Sequence, residues 1–293
     1  MIFSIVVPTY NHADTILETV ESTLDQNFEL EYEVLVVDNN STDRTGERLA
    51  RYNDRIRVLK NPRTVSLIEN HNICLNEAHG DYIIFCHSDD RLLPDALANF
   101  YAKLKVRNFP EKYVLWGKSV FRDFQRNWEK AGLRLEQIAS GEQIFHAFMV
   151  GGLTPSGTCY SRKSFLEQGG YVVTDTAVAP SDMVSMWRLI LNGFQFEMSE
   201  KKFFIREFAS TATERSRKEW TAAKTTAIRN FLVSCSEQDK EVLKKYISSM
   251  KDPNISTLLA LRSNDLVTRL TVFRHLSARF LKKHTGLPRD LKK

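Results

Sequence analysis

The sequence predicts an α/β protein: a mainly parallel central sheet flanked by helices, followed by a helical C-terminal extension. Three observations predict it. Short apolar runs alternate with helix-length segments through the first third of the chain. Those runs, such as IVV and VLVV, are nearly continuous, which fits strands buried on both faces. A polar cluster follows the first, second and fourth of them, where an open parallel sheet places its ligands.

The elements follow in order. Phe3 to Val7, Tyr32 to Val37, Ile56 to Leu59 and Tyr82 to Cys86 are short, apolar and rich in β-branched residues. Helix-type stretches begin near Ala13, Asp43 and Val65 after the first three, which gives βαβ units. Past Pro94 a helix is expected to about Arg107, then a strand from Tyr113 to Gly117. Phe121 to Gln137 carries a mixed pattern. Ser156 to Ser161 reads as a strand, and Met183 to Leu191 as a helix stopped at Gly193. From about Arg215 the pattern is helical. The expected organisation is an α/β domain over residues 1–210 and a helical extension over 211–293.

Composition narrows the classes. With 42% hydrophobic and 26% charged residues, the chain can bury a core without disulfides. No run of about eighteen apolar residues suggests a membrane-spanning helix. The opening MIFSIVVPTYNH has no basic stretch and breaks at Pro8, so a cytoplasmic location is expected. Cys74, Cys86, Cys159 and Cys235 stand far apart and read as reduced thiols. From Leu261 onward nine Lys or Arg face two Asp, a net +7 in a chain of net +5. The body is therefore slightly acidic, which argues against a nucleic-acid-binding body.

The chemistry lies in the polar clusters. Asp89-Asp90 directly follows a buried strand, and two adjacent carboxylates there repel unless a cation intervenes. A divalent ion is commonly held by one or two carboxylates plus substrate phosphates. The alternative is a helix N-terminal signal. Asp38 and Asn39 end the second strand, where they can meet a base or ribose, cap the Asn-Ser-Thr-Asp turn, or both. No G-x-G-x-x-G, Walker A or zinc-ligand spacing occurs.

Four ordered elements then carry a resemblance: Ser4 to Asn11 (SIVVPTYN), Val36 to Asp43 (VVDNNSTD), Asn72 to Ile83 (NICLNEAHGDYI) and His87 to Leu97 (HSDDRLLPDAL). On these the chain resembles the family 2 glycosyltransferases, with a weaker match to about Phe196. The resemblance implies a GT-A fold and an inverting transfer from a nucleoside-diphosphate sugar, UDP before dTDP, assisted by Mn²⁺ or Mg²⁺. It implies a saccharide or polyprenyl-diphosphate-linked acceptor in bacterial surface-polysaccharide assembly. Pro8, Thr9, Tyr10, Asp38, Asn39 and Asp89 would line the donor pocket, Asp90 would hold the metal, and Asp182 would be the general base. Arg188 matches an arginine of the helix that follows. Several positions depart from the family pattern: Asn39 for Asp, His71 for Arg, Cys74 for Gly, His87 for Asp and Ser181 for Glu. The family's Tyr-Arg-x-His element appears only as Ile205-Arg206-Glu207-Phe208.

Alternatives stand beside these expectations. Ser181 and Asp182 could serve only to cap the helix that follows. Trp116, Trp128 and Trp187 belong to the core before they belong to a sugar site. A sugar nucleotidyltransferase would need a basic Gly-rich loop after the first strand, and Tyr10-Asn11-His12 is not one. A non-catalytic nucleotide-sugar-binding module would not need Asp89, Asp90 and Asp182. In the tail, Leu266, Leu270, Phe273, Leu276 and Phe280 form a helical stripe among basic residues. It suits either an anionic membrane surface or packing on the body.

Overall fold

A computed structural model describes residues 1–119, 128–129, 131–148, 155–173, 179–206 and 220–249. The strands are β1 (Phe3–Thr9), β2 (Tyr32–Asp38), β3 (Arg57–Lys60), β4 (Tyr82–Phe85), β5 (Asp90–Leu92), β6 (Tyr113–Ser119), β7 (Ile138–Ala139), β8 (Thr158–Ser161) and β9 (Gln195–Arg206). The helices are α1 (Ile16–Leu24), α2 (Thr45–Leu49), α3 (Leu67–Glu77), α4 (Ala96–Val106), α5 (Gly141–Phe148), α6 (Arg162–Glu167), α7 (Ala179–Leu191), α8 (Trp220–Ser234) and α9 (Glu237–Ser248).

The strands form one sheet in the order β3-β2-β1-β4-β8-β6-β9-β5, with β7 added on β9. Its N-terminal half, β3-β2-β1-β4, is parallel, as the βαβ pattern requires. Parallel pairing does not dominate the second half. There β8 runs antiparallel to β4 and β6, β5 and β7 run antiparallel to β9, and β6 and β9 pair in parallel.

The continuous apolar runs are explained by the two cores. Ile5, Val7, Val34, Val36 and Ile84 face one cluster with α1, α2 and α4. Val6, Leu35, Val37, Ile83 and Phe85 face the other with α3, α5, α7, α8 and α9. Successive side chains point to opposite faces, and both faces are covered, so no polar residue interrupts the run. The described part of the C-terminal extension is helical and packs into the second of these clusters.

Local signals set the boundaries. The Ser66 hydroxyl accepts from the Glu69 amide while the Glu69 carboxylate accepts from the Ser66 amide, a capping box that starts α3. Gly193 ends α7 with φ +77°, the left-handed conformation that glycine adopts without penalty. The helix α7 begins at Ala179, so Ser181 and Asp182 lie within its first turn. Trp116, Trp128 and Trp187 are all buried in the core. Cys74, Cys86 and Cys159 are buried and Cys235 partly so, all as free thiols.

The strand β9 was not legible in the sequence. Its run QFEMSEKKFFIR mixes charged residues with apolar ones, and its pairing with β6 shifts register between Trp116 and Ser119. An irregular ladder breaks the period of two on which a strand is read.

Candidate active site

The carboxyl ends of β1 and β2 lie side by side, with Thr9 opposite Asp38 in register. Beyond them both chains turn through left-handed asparagines, Asn11 at φ 54° and Asn40 at φ 62°. The two turns lock together. Asp38 Oδ1 accepts from the Ser41 amide at 2.9 Å and from the Ser41 hydroxyl, while Ser41 Oγ accepts from the Asn11 amide at 2.9 Å. Asn11 Oδ1 accepts from the Thr42 amide at 2.8 Å. Asp38 is only 2% exposed, so its carboxylate sits at the floor of this edge. Pro8 and Thr9 are buried in β1, whereas Tyr10 is 44% exposed at the rim. The Thr9 hydroxyl is buried without a protein hydrogen-bond partner. Such a group costs about 1–3 kcal/mol, which a ligand contact at this edge would recover.

Asn39 is committed on both sides of its amide. Its Oδ1 accepts from the Val65 amide at 2.9 Å and from Asn61 Nδ2 at 3.0 Å. Its Nδ2 donates to the Val65 carbonyl at 2.9 Å. Both carbonyl lone pairs are thus in use, and one N–H remains to face a ligand.

The third cluster sits where β4 gives way to β5. A turn closed by the Asp90 amide on the His87 carbonyl, at 2.9 Å, brings His87, Asp89 and Asp90 together. One ligand atom from each lies within 4.8 Å of the others. The Asp90 carboxylate is buried, and its Oδ2 stands 3.8 Å from His87 Nδ1. Hydroxyls of α1 and the residue before it hold this turn: Thr15 Oγ1 donates to the Ser88 carbonyl at 2.7 Å and Thr19 Oγ1 to the Asp90 carbonyl at 2.8 Å. His12 contacts the Ser88 hydroxyl, which joins the β1 loop to the same turn. From the other side, Ser156 Oγ accepts from the His87 amide at 2.9 Å. Gly157 follows at φ +69°, with its α-carbon so close to Phe204 that a side chain there would strike the ring. Two carboxylates and an imidazole at these separations fit a divalent cation.

Behind this turn lies an aromatic wall. His71, on α3, stacks on Phe85 at 5.3 Å and meets Tyr171 edge-on at 5.7 Å. Its Nδ1 contacts the Leu67 carbonyl at 2.8 Å and its Nε2 contacts His87 Nε2 at 3.0 Å. Burial, and then the neighbouring His87, push the His71 pKa down to about 3, so the ring is neutral. Tyr171 and Tyr160 share a hydrogen bond of 3.1 Å between their hydroxyls.

Asp182 belongs to the same wall. It lies in the first turn of α7, where the helix dipole favours negative charge. Burial raises the pKa of Tyr160 and of Tyr171, and the Asp182 carboxylate adds to both shifts. The helix is held to the 170–172 segment one and two turns further on. Ser185 Oγ accepts from the Val172 amide at 2.8 Å, and Arg188 donates to the Gly170 carbonyl. Asn72 in turn clasps Tyr171, accepting from its amide at 2.7 Å and donating to its carbonyl at 2.9 Å. Arg188 is therefore a strut for the 170–172 segment.

The structure brings Thr9, Asp38, Asp89 and Asp90 to one edge of the sheet, and an aromatic wall joins that edge to Asp182. The partners of these residues were not singled out in the sequence. Asn61 carries no motif, Asn72 and Ser156 show only as the first residues of a motif and of an expected strand, and His71 shows only as a departure from a familiar pattern. The expected Tyr-Arg-x-His position and the segment 261–293 fall at or beyond the limits of the described residues.

A sheet that gathers acidic residues beyond its parallel strands, with no dinucleotide or P-loop fingerprint, defines an α/β protein that holds its ligand at that edge. Residues 4–169 match the family described as glycosyl transferase family 2, and the chain belongs to that family. It is 27% identical to the putative glycosyltransferase EpsE of Bacillus subtilis, over 73% of this chain and 76% of that protein. It is 36% identical to the Escherichia coli UDP-Glc:alpha-D-GlcNAc-diphosphoundecaprenol beta-1,3-glucosyltransferase WfaP, over 33% of this chain and 38% of that one. A third relative is the Staphylococcus aureus poly(ribitol-phosphate) beta-N-acetylglucosaminyltransferase TarS, 34% identical over 33% of this chain. That match spans 18% of TarS. The fold is shared with the crystal structure of TarS 1-349 in complex with UDP-GlcNAc, at TM-score 0.67 and 20% identity, over 96% of this chain and 81% of that one.

Proposed function

We propose that the protein is an inverting, metal-assisted glycosyltransferase that moves a sugar from a UDP-sugar, in preference to a dTDP-sugar, onto a saccharide or lipid-linked saccharide acceptor in surface-polysaccharide assembly. The observation that carries this reading is the cluster of His87, Asp89 and Asp90 in the crevice outside the parallel strands, beside Thr9 and Asp38. The names of the relatives, which include UDP-sugar and lipid-diphosphate substrates, support the choice of donor and acceptor.

In this reading Thr9, Asp38 and the rim ring of Tyr10 hold the nucleoside, with Pro8 shaping the strand end beneath it. Asn39 holds the 61–65 loop against the pocket and offers its remaining N–H. Asp89 lies toward the ribose and sugar, and His87, Asp89 and Asp90 hold Mn²⁺ or Mg²⁺. A bound cation supplies Lewis-acid stabilisation of the departing diphosphate. Asp182 takes the proton of the acceptor hydroxyl as that oxygen bonds to the anomeric carbon, and the carbon–phosphate-oxygen bond breaks on the opposite face. The electron pair leaves with the nucleoside diphosphate, so the anomeric configuration inverts. A positioned general base contributes about 10²–10⁴-fold.

The proposal extends to organisation. Residues 1–210 form the catalytic domain and 211–293 a helical extension whose basic end meets an anionic membrane surface at the cytoplasmic face. No helix among the described residues is long and apolar enough to cross a membrane. The experiment is incubation with UDP-, dTDP- and GDP-sugars and a lipid-linked saccharide, followed by NMR of the product. Release of nucleoside diphosphate with an inverted anomeric centre supports the reading. Release of pyrophosphate, or binding without turnover against every donor and acceptor, overturns it.

A further inference from the structure

The contact between His71 and His87 fixes more than packing. His71 Nδ1 lies 2.8 Å from the Leu67 carbonyl, which can only accept, so that nitrogen carries the proton. In the neutral ring Nε2 is then an acceptor. It faces His87 Nε2 at 3.0 Å, a nitrogen–nitrogen contact that requires one donor and one acceptor. His87 Nε2 must therefore donate, and in the neutral imidazole that a cation requires the lone pair lies on Nδ1. That nitrogen stands 3.8 Å from Asp90 Oδ2, too far for a shared proton, with an Asp89 oxygen in the same cluster.

We propose that His87 binds the divalent cation through Nδ1, and that buried His71 is the positioning residue that holds it in the tautomer able to do so. This rests on the proposed cation reading of the cluster and deepens it. The donor set becomes one nitrogen and two carboxylates. Imidazole nitrogen adds more affinity for first-row transition ions than for Mg²⁺, which demands oxygen ligands and keeps its waters. The site is therefore selective for Mn²⁺ or Co²⁺ over Mg²⁺. The imidazole chain from Leu67 through His71 to His87 has the form by which a second residue orients a metal-binding histidine. The chain depends on both departures noted in the sequence. His71 alone would have no N–H to accept, and His87 alone would be free to turn its proton toward the carboxylates.

The test uses the full chain with Mn²⁺, with and without UDP. Pulsed electron paramagnetic resonance of bound Mn²⁺ is expected to show coupling to one ¹⁴N, and His87→Ala to remove it. His71→Leu keeps bulk but removes the acceptor, and is expected to weaken Mn²⁺ binding about 10–100-fold, the usual effect of losing such a partner. His71→Gln, whose carbonyl can accept from His87 Nε2, is expected to recover most of that affinity, which a merely structural role would not predict. The double change His71→Arg/His87→Asp is expected to shift preference toward Mg²⁺ about tenfold or more. If His71→Leu does not fold, the wild-type spectrum and His71→Gln still decide the matter. Mn²⁺ bound without nitrogen coupling, or a His71→Leu affinity within about twofold of wild type, would overturn this inference and leave the cation site standing. No Mn²⁺ binding in either condition overturns both.

Discussion

Asn39 and Val65 are joined by two reciprocal hydrogen bonds: the Asn39 carbonyl accepts from the Val65 amide and the Asn39 amide donates to the Val65 carbonyl, each at 2.9 Å. Only a primary amide can satisfy both halves of this pair. Asn39→Asp would set a nearly buried carboxylate against a carbonyl oxygen, losing the donor and adding charge. We expect the variant to melt several degrees lower, because an unmet buried polar group costs about 1–3 kcal/mol and each kcal/mol is worth about 2–4 °C in a chain of this size. UDP affinity should fall with the loosened 61–65 loop. An unchanged melting temperature by calorimetry would show that the amide pair is dispensable.

Asp182 meets the aromatic wall from the first turn of α7. Asp182→Asn keeps shape and retains hydrogen-bonding capacity, so the protein should fold and bind donor as before. Turnover should drop by about 10²-fold or more, the lower end of what a positioned base contributes. Stopped-assay kinetics at saturating donor read this directly. A loss of less than about fivefold would place the base elsewhere.

The sequence made the first half of the sheet legible because its strands are buried on both faces. Runs such as VLVV have no competing reading when turn residues bound them. The candidates Thr9, Asp38, Asp89 and Asp90 were legible for the same reason, since they lie at or just beyond the ends of those strands, whereas Asp182 lies on α7. What stayed hidden depends on contacts across the fold. His71 sits on α3 and His87 after β4, and only the packing of that helix on the sheet brings their rings together. Likewise, the commitment of Asn39 to Val65 arises from the path of a loop 26 residues onward. The strand β9 was missed because Glu197 and Ser199 are buried polar residues, a pattern that looks like a surface segment. Glu197 is instead matched inside the fold by Arg107 and Tyr113.

Asp90 combines a buried carboxylate with a place at the start of β5, and its backbone is held by Thr19. Asp90→Ala should leave the turn intact, because that hydrogen bond uses the main-chain carbonyl. We expect it to abolish transfer and to remove the rise in melting temperature that Mn²⁺ adds to UDP, since a ligand of the native state stabilises by mass action. Chelator should produce the same two losses in the unaltered protein. Full activity in excess chelator would remove the metal from the mechanism.

Thr9 offers the sharpest separation of stability from function. Its hydroxyl is buried at the end of β1 without a protein partner, while its β-branched frame suits the strand. Thr9→Val preserves that shape and removes the unmet polar group. The apoprotein should therefore be as stable as before or more so, by up to about 1–3 kcal/mol. Nucleotide binding should move the other way. A hydroxyl that reaches the ligand is worth about 0.5–1.5 kcal/mol, so UDP affinity should weaken about 2–12-fold. Thermal melting without ligand and calorimetric titration with UDP give the two numbers independently. A variant that melts lower and binds UDP unchanged would mean that the hydroxyl serves the fold and not the donor.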